Sequence, residues 1–185
     1  TFDLYRVTSL VNPSNSCRSN SQPSPAGNWG TWSINNQTFL ANYAFPTNGI
    51  LFLEDHVWVQ GTVDSARLTI ASGRFPESAS TNTHITVNND LNYTNLDGSD
   101  VVALVAQGDI NVGMVSEDVL DIDAALLAKN GRAGRYYYSS SCNPYHNRST
   151  LNLYGMLGSN KRYGFAYTDG TGYDTRSITY DANLL

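Results

Sequence analysis

The sequence predicts an all-β domain, and two architectures fit it, a β-solenoid and a β-sandwich. Three observations carry that expectation. Apolar residues recur in short units of apolar–polar–apolar form, the period of a half-buried strand. The units end at Gly, Asn or Asp, residues that let a chain turn. Charged residues make up only 15% of the 185, against roughly 25% in ordinary soluble domains, while Asn, Ser and Thr together supply 55.

The elements follow in chain order. Thr1–Val11 reads as a short strand or helix, and Asn12–Asn28, rich in Ser, Asn and Pro, as a long surface loop. The apolar runs then begin with Ile50–Leu53, Val57–Val59, Gly61–Val63 and Leu68–Ile70. Ile85–Val87, Leu91–Tyr93, Val101–Val105 and Ile110–Val112 come next. Leu120–Ile122, Ala124–Leu127, Leu151–Leu153, Met156–Leu157 and Ile178–Tyr180 complete the set. Insertions near 74–83 and 132–148 break any fixed period. A solenoid accounts for the small residues within these runs, among them Gly61, Ala71, Ala103, Ala124, Gly155 and Gly158, because its interior is narrow. A sandwich accounts equally well for Asn48-Gly49 and Asn130-Gly131, which are hairpin-turn pairs.

Composition excludes several classes. Only two lysines occur, Lys129 and Lys161, and the net charge is −5, so a phosphate backbone would be repelled and nucleic acid is not an expected partner. No apolar run reaches the roughly 20 residues of a membrane span, so a membrane would be reached only through a helix upstream of Thr1. Two cysteines, Cys17 and Cys142, fit a disulfide in an extracellular-type composition, two unpaired thiols being the alternative. A loop that long is worth about 4–5 kcal/mol in the chain-entropy description.

From Pro46 onward the chain resembles a family of bacterial envelope proteins associated with type IV pili, of the PilX-like or minor-pilin-like kind. The segments that carry the resemblance are, in order, Gly49–Val63, Arg67–Ala71, His84–Tyr93, Asp100–Val112, Leu120–Gly131, Leu151–Gly164 and Tyr173–Leu185. Val105 departs from the small residue usual in the "GliAq" phrase, and nothing before Gly30 aligns. The resemblance implies a right-handed parallel β-helix over residues 46–185; residues 1–45, which it does not cover, are expected to form a segment and polar loop that pack on it or cap it. It implies a structural or adhesive, non-catalytic domain of a pilus-like fibre at the cell surface, with other pilus subunits or a surface glycan or protein as partners. A hydrophobic pilin-like helix upstream is part of the same expectation.

The candidate site is aromatic. Nine of the twelve tyrosines lie beyond residue 130, and Tyr136, Tyr137, Tyr138, Tyr154 and Tyr163, with Trp58, are the candidate binding patch for sugar or protein. Capping of an open core end is the competing role for the same residues. Arg132, Arg135, Arg148 and Arg162 accompany them.

No catalytic, metal or cofactor residue is assigned. Asp121 and Asp123 share one strand face, as a pair of glycosidase carboxylates would, but alternate with Leu120, Ile122 and Ala124 and read as the polar side of a strand. His56 and His84 read as exposed edge residues, and His146 as a loop residue. The oxygen-rich segments Asn88–Asp90, Asp97–Asp100 and Asp169–Asp174 read as turns rather than calcium loops. The alternative function is a β-helix carbohydrate-binding module or polysaccharide-cleaving enzyme.

Overall fold

The computed structural model describes residues 1–17 and 32–184. The greater part of the expected Asn12–Asn28 loop lies outside the described residues. Twelve strands follow one another: β1 (Phe2–Leu10), β2 (Ile34–Tyr43), β3 (Ile50–Leu53), β4 (Val57–Val63), β5 (Arg67–Ser72), β6 (Ile85–Tyr93), β7 (Val101–Ala106), β8 (Ile110–Val112), β9 (Val119–Ala128), β10 (Ala133–Arg135), β11 (Asn147–Ser159) and β12 (Gly172–Tyr180). Three-residue 3-10 turns occur at Asn15–Cys17, Ser140–Cys142 and Ala182–Leu184. Among the described residues there is no α-helix, and no helix is long and apolar enough to cross a membrane.

The protein is therefore all-β, and apart from β1 with β2 and an isolated antiparallel bridge between Ala166 and Gly172 its pairing is parallel. A sandwich is built from antiparallel sheets, so this pairing removes that alternative. The strands stack in three ladders. In the first, Val57, Ile85, Ile110 and Ala133 line up across β4, β6, β8 and β10. In the second, Gly61, Leu91, Ile122, Leu153 and Ile178 line up across β4, β6, β9, β11 and β12. In the third, Leu51, Ile70, Leu104, Leu126 and Leu157 line up across β3, β5, β7, β9 and β11. Strands β4, β6, β9 and β11 are long because each contributes to two ladders.

Alternation decides which side chains point inward. Val57, Val59, Ile85, Val87, Leu104, Leu120, Ile122, Leu126, Leu151 and Leu153 come from all three ladders and pack into one cluster. Each such aliphatic side chain contributes roughly 1.5–3 kcal/mol on leaving water. Small residues let neighbouring strands approach closely: a Cβ at Gly155 would lie 2.0 Å from the carbonyl oxygen of Ala124, its partner across β11 and β9.

Neither Asn-Gly pair makes a hairpin. Gly49, with φ +68°, turns the chain into β3, and Asn130 donates its N–H to Gln107 O where β9 gives way to β10. At Gly49 the positive φ serves a corner between stacked parallel strands as it would a hairpin, whereas Gly131 is needed for close approach, since a Cβ there would lie 2.7 Å from Gly108 O.

A second, smaller cluster holds Leu10, Cys17, Trp32, Met114, Tyr138 and Cys142. It lies over the outer side of the first ladder, where Trp58 packs against it and the outward Thr86 and Asn111 are fully buried. Cys17 and Cys142 are joined, with their Cα atoms 4.9 Å apart. Strands β1 and β2 pair antiparallel as a separate ribbon. Its base is held by Val11 N–H to Ser33 O, Ile34 N–H to Asn88 Oδ1 and Val115 N–H to Ser33 Oγ. Strand β2 was not expected from Ile34-Asn-Asn-Gln-Thr-Phe-Leu-Ala-Asn-Tyr43. It exposes nearly every side chain, so no buried face imposes a period on it.

Candidate functional site

The six aromatic residues expected to form a patch stand in different surroundings. Tyr138 is 0% exposed, which corrects the expectation that it belongs to a surface patch: its ring packs against Trp32 and under the Arg135 guanidinium, 4.5 Å from its centroid. Trp58 is half-buried and donates its indole N–H to Trp32 O at 2.7 Å. Tyr136 leans on the same cluster beneath the Arg132 guanidinium, at 4.7 Å, and burial pushes its hydroxyl up to about 12. Tyr137 meets Tyr167 edge-on at 5.2 Å. Tyr154 packs on the main core and donates to Asp181 Oδ1 at 3.1 Å. Tyr163 alone of the six is largely exposed, at 52%. The rule that three consecutive tyrosines cannot all face one core thus resolves into one buried and two half-buried side chains, Tyr136 and Tyr138 turning to the second cluster and Tyr137 to Tyr167.

The large exposed apolar side chains lie elsewhere. One group lies on the β1–β2 ribbon, where Tyr5, Phe39, Leu40 and Tyr43 are open and Tyr5 meets Phe39 edge-on at 5.5 Å. A second sits at the β3 end, where the Phe52 ring stacks on Phe75 at 6.2 Å and Phe75 is 69% exposed. A third sits at the β12 end, with Ile178 and Tyr180. Sequence reasoning missed the β3 group, yet the signal is present. Ile50-Leu-Phe-Leu53 holds four consecutive apolar residues, and in a strand two of them must point outward.

The charged candidates are absorbed by the ladders. Asp121 accepts the Asn152 side-chain amide at 2.7 Å and gives its own N–H to Asp90 Oδ1, so Asp90, Asp121 and Asn152 form a polar line outside the second ladder. Asp123 accepts the Tyr93 N–H at 2.8 Å, and its burial raises its carboxyl pKa. Asp100 accepts the N–H groups of Ala66 and Asn95, Asp97 the N–H and hydroxyl of Ser99, and Asp169 the N–H and hydroxyl of Thr171. The bonds at Asp97 and Asp169, each to the residue two further on, are Asx-type turn bonds, while Asp100 ties two separate segments together.

His56 and His84 are not the exposed edge residues the pattern suggested. They stand one above the other at the corner between the third and first ladders, where burial replaces water around both rings. His56 Nδ1 accepts the His84 N–H, and His84 Nδ1 accepts the Asp109 N–H. Asp109 Oδ1 in turn accepts the Arg132 N–H at 2.8 Å. The same corner carries Asp55–Arg74 at one height and Glu77–Lys129 at another.

Arg135 occupies the inward position beyond Val112 in the first ladder and is 0% exposed. Its Nη2 donates to Met114 O and Tyr145 O, and its plane faces Tyr138 and Tyr173. No sequence signal separates it from the half-buried Arg132 or the exposed Arg162. What these surfaces offer chemically is contact: flat aromatic area, free strand edges and fixed charges at the corners. No family model, no curated protein and no solved structure matches the chain.

Proposed function

We propose that residues 46–185 form a right-handed β-solenoid that serves as a structural or adhesive, non-catalytic domain of a pilus-like surface fibre outside the cell. Three parallel ladders around one core, with chain corners stacked in columns, support the solenoid reading, and parallel crossovers are right-handed in nearly all known cases. The observation that carries the functional reading is the distribution of exposed apolar side chains. Apart from Leu96 and Val119, they gather on the ribbon and at the two ends of the stack, where an extended assembly makes its contacts. The disulfide agrees with an oxidising location.

The resemblance in Gly49–Val63 and the segments after it supplies the pilus part of the proposal. Immunogold labelling of intact cells that produce the protein tests it: label along surface fibres is expected, and label confined to the cell interior would overturn it.

A second reading is a carbohydrate-binding module, and the Phe52–Phe75 platform favours it. Two open, nearly parallel rings offer the flat apolar area on which a sugar face stacks. A glycan array together with a hydrolysis screen separates the readings. Binding lost in Phe75→Ala supports the module, turnover supports an enzyme, and neither leaves the scaffold.

A further inference from the structure

We propose that copies of this chain join head to tail, the β12 end of one continuing the ladders at the β3–β4 end of the next; the inference rests on the solenoid reading above. Both ends belong to the same columns. The third ladder begins at β3 and finishes at Met156–Ser159, so Ile50 and Met156 terminate one column, Leu51 and Leu157 the next, and Phe52 and Gly158 the third. The second ladder begins at Gly61–Val63 and finishes at β12, with Gly61 and Ile178 at the two ends of one column. All of these strands run parallel, so an added copy meets each free edge with matching polarity and forms the hydrogen bonds that a parallel ladder requires.

Side chains at the two ends fit one another. Ile178 and Tyr180 continue the inward lines of the second ladder yet are about half exposed, a core line left without its next layer. Opposite them, Gln60, Gly61 and Thr62 are exposed, and nothing lies within 4 Å of where a Gly61 side chain would begin. The ribbon therefore leaves that edge open. Phe52 protrudes from the β3 end, and its column finishes at Gly158, which has no side chain to obstruct it. The open edges also match in length. Arg176 turns its guanidinium back onto the carbonyls of Tyr173 and Asp174, leaving Ser177–Tyr180 to face Gln60–Val63.

Charge sets the orientation. At the corner between the third and first ladders, the β3 end carries exposed Glu54 and Asp55, and the other end carries exposed Lys161 and Arg162. They share one corner, because Gly73 N–H bonds Leu53 O, Lys129 N–H bonds Ala106 O and Lys161 N–H bonds Gly131 O up the same column. Within the chain this corner already pairs opposite charges, Asp55 with Arg74. Stacking places acid over base, whereas end-to-end contact of like ends places acid on acid or base on base. A heterologous contact of this kind does not close, so it builds linear chains.

Analytical ultracentrifugation of the full, disulfide-intact chain from micromolar to near-millimolar concentration tests the inference. Expected is mass that grows with concentration beyond a dimer. Reversing one end, as E54K/D55K or as K161E/R162E, is expected to weaken association at least tenfold, and reversing both ends together, or mixing the two variants, restores it. All four side chains are exposed, and because Asp55 also pairs with Arg74, E54K/D55K is compared with the parent by circular dichroism and by E54K alone, which leaves that pair intact. Ile178→Lys, which blocks the second ladder, is expected to leave a monomer.

A monomer at every concentration overturns the proposal, as does a dimer indifferent to all of these changes, which would point to ribbon-to-ribbon pairing. Loss of association without rescue in the mixture overturns it too. Paired cysteines at Asp121 and Asn152, neighbours across β9 and β11, test the ladder itself. A cross-link with a persistent monomer rejects stacking and leaves the solenoid standing, whereas no cross-link rejects both.

Discussion

The imidazoles of His56 and His84 stack with centroids 5.2 Å apart and planes 5° from parallel, and each uses Nδ1 to accept a backbone N–H, from His84 at 3.1 Å and from Asp109 at 2.8 Å. A nitrogen that accepts carries no proton, so both rings are neutral with the proton on Nε2. Burial, with His84 and Arg74 nearby, brings His56 down from 6.5 to about 4, Asp55 pulling the other way. Burial lowers His84 as well, against the pull of Asp109, whose Oδ2 lies 3.6 Å from the same nitrogen.

This pair makes folding pH-dependent. Both folded pKa values lie below the unfolded value, so the unfolded chain binds more protons in between. The stabilisation is whole above pH 6.5 and declines as pH falls toward about 4. With partial exposure allowed for, roughly 1–2 kcal/mol is lost across that window, or roughly 2–8 °C in Tm. H56N/H84N keeps an acceptor oxygen in place of each Nδ1 and cannot titrate. Its Tm is expected to stay flat from pH 7 to pH 4 where the parent's falls, and parallel curves would reject the assignment.

Arg135 is expected to matter more than any other charged residue. Its removal leaves the carbonyls of Met114 and Tyr145 unpaired in the interior and takes the cation from between Tyr138 and Tyr173. Arg135→Ala should cost about 3–5 kcal/mol in urea unfolding, from lost hydrogen bonds plus a cavity. Arg135→Met restores most of the volume and should recover about half of that loss. Arg162→Ala, at an exposed arginine, should stay within roughly 0.5 kcal/mol.

The inward half of the fold was legible in the sequence because burial enforces period two. Val57 and Val59, Ile85 and Val87, and Leu120 and Ile122 were read as strands and line the core. Strand β2 was not legible, since an exposed strand face obeys no hydrophobic period, whereas the outward Phe52 is signalled by the unbroken apolar run Ile50–Leu53. Strand β10 escaped because Ala133-Gly-Arg135 is three residues paired to β8 by contacts distant in sequence. Parallel stacking was legible only through the small residues it demands: turn chemistry at Asn48-Gly49 is the same for a hairpin and for a corner. Tyr138 and His84 were misjudged for one reason. Their burial comes from a second layer, built by Cys17, Trp32 and Met114 over Tyr138 and by the stacked corner around His84, and local pattern does not report it.

Reducing the disulfide should loosen the second cluster first. Cys17 and Cys142 close a loop of 125 residues and lie within that cluster, beside Trp32 and Tyr138. The chain-entropy description gives about 5 kcal/mol for such a loop, and measured values for native disulfides run at about 2–5. In Cys17→Ser/Cys142→Ser, the emission of buried Trp32 should shift to the red at a denaturant concentration below that at which the strand signal in circular dichroism is lost. Coincident transitions in the variant would show that both clusters unfold as one.

Two glycines test how tightly the ladders approach. Gly155 sits on the second ladder beside Ala124, and a Cβ there would lie 2.0 Å from Ala124 O and 2.5 Å from Ala124 C, both backbone atoms of the neighbouring strand. Neither can move without separating β9 from β11, so Gly155→Ala should cost about 2–3 kcal/mol or abolish folding. Gly164 lies just past β11 with nothing within 4 Å of its would-be Cβ. Gly164→Ala should change stability by less than about 0.5 kcal/mol, or raise it slightly by restricting the unfolded chain. Urea midpoints of the two variants measured side by side decide the matter: equal effects would mean that β9 and β11 are not held in contact at Gly155.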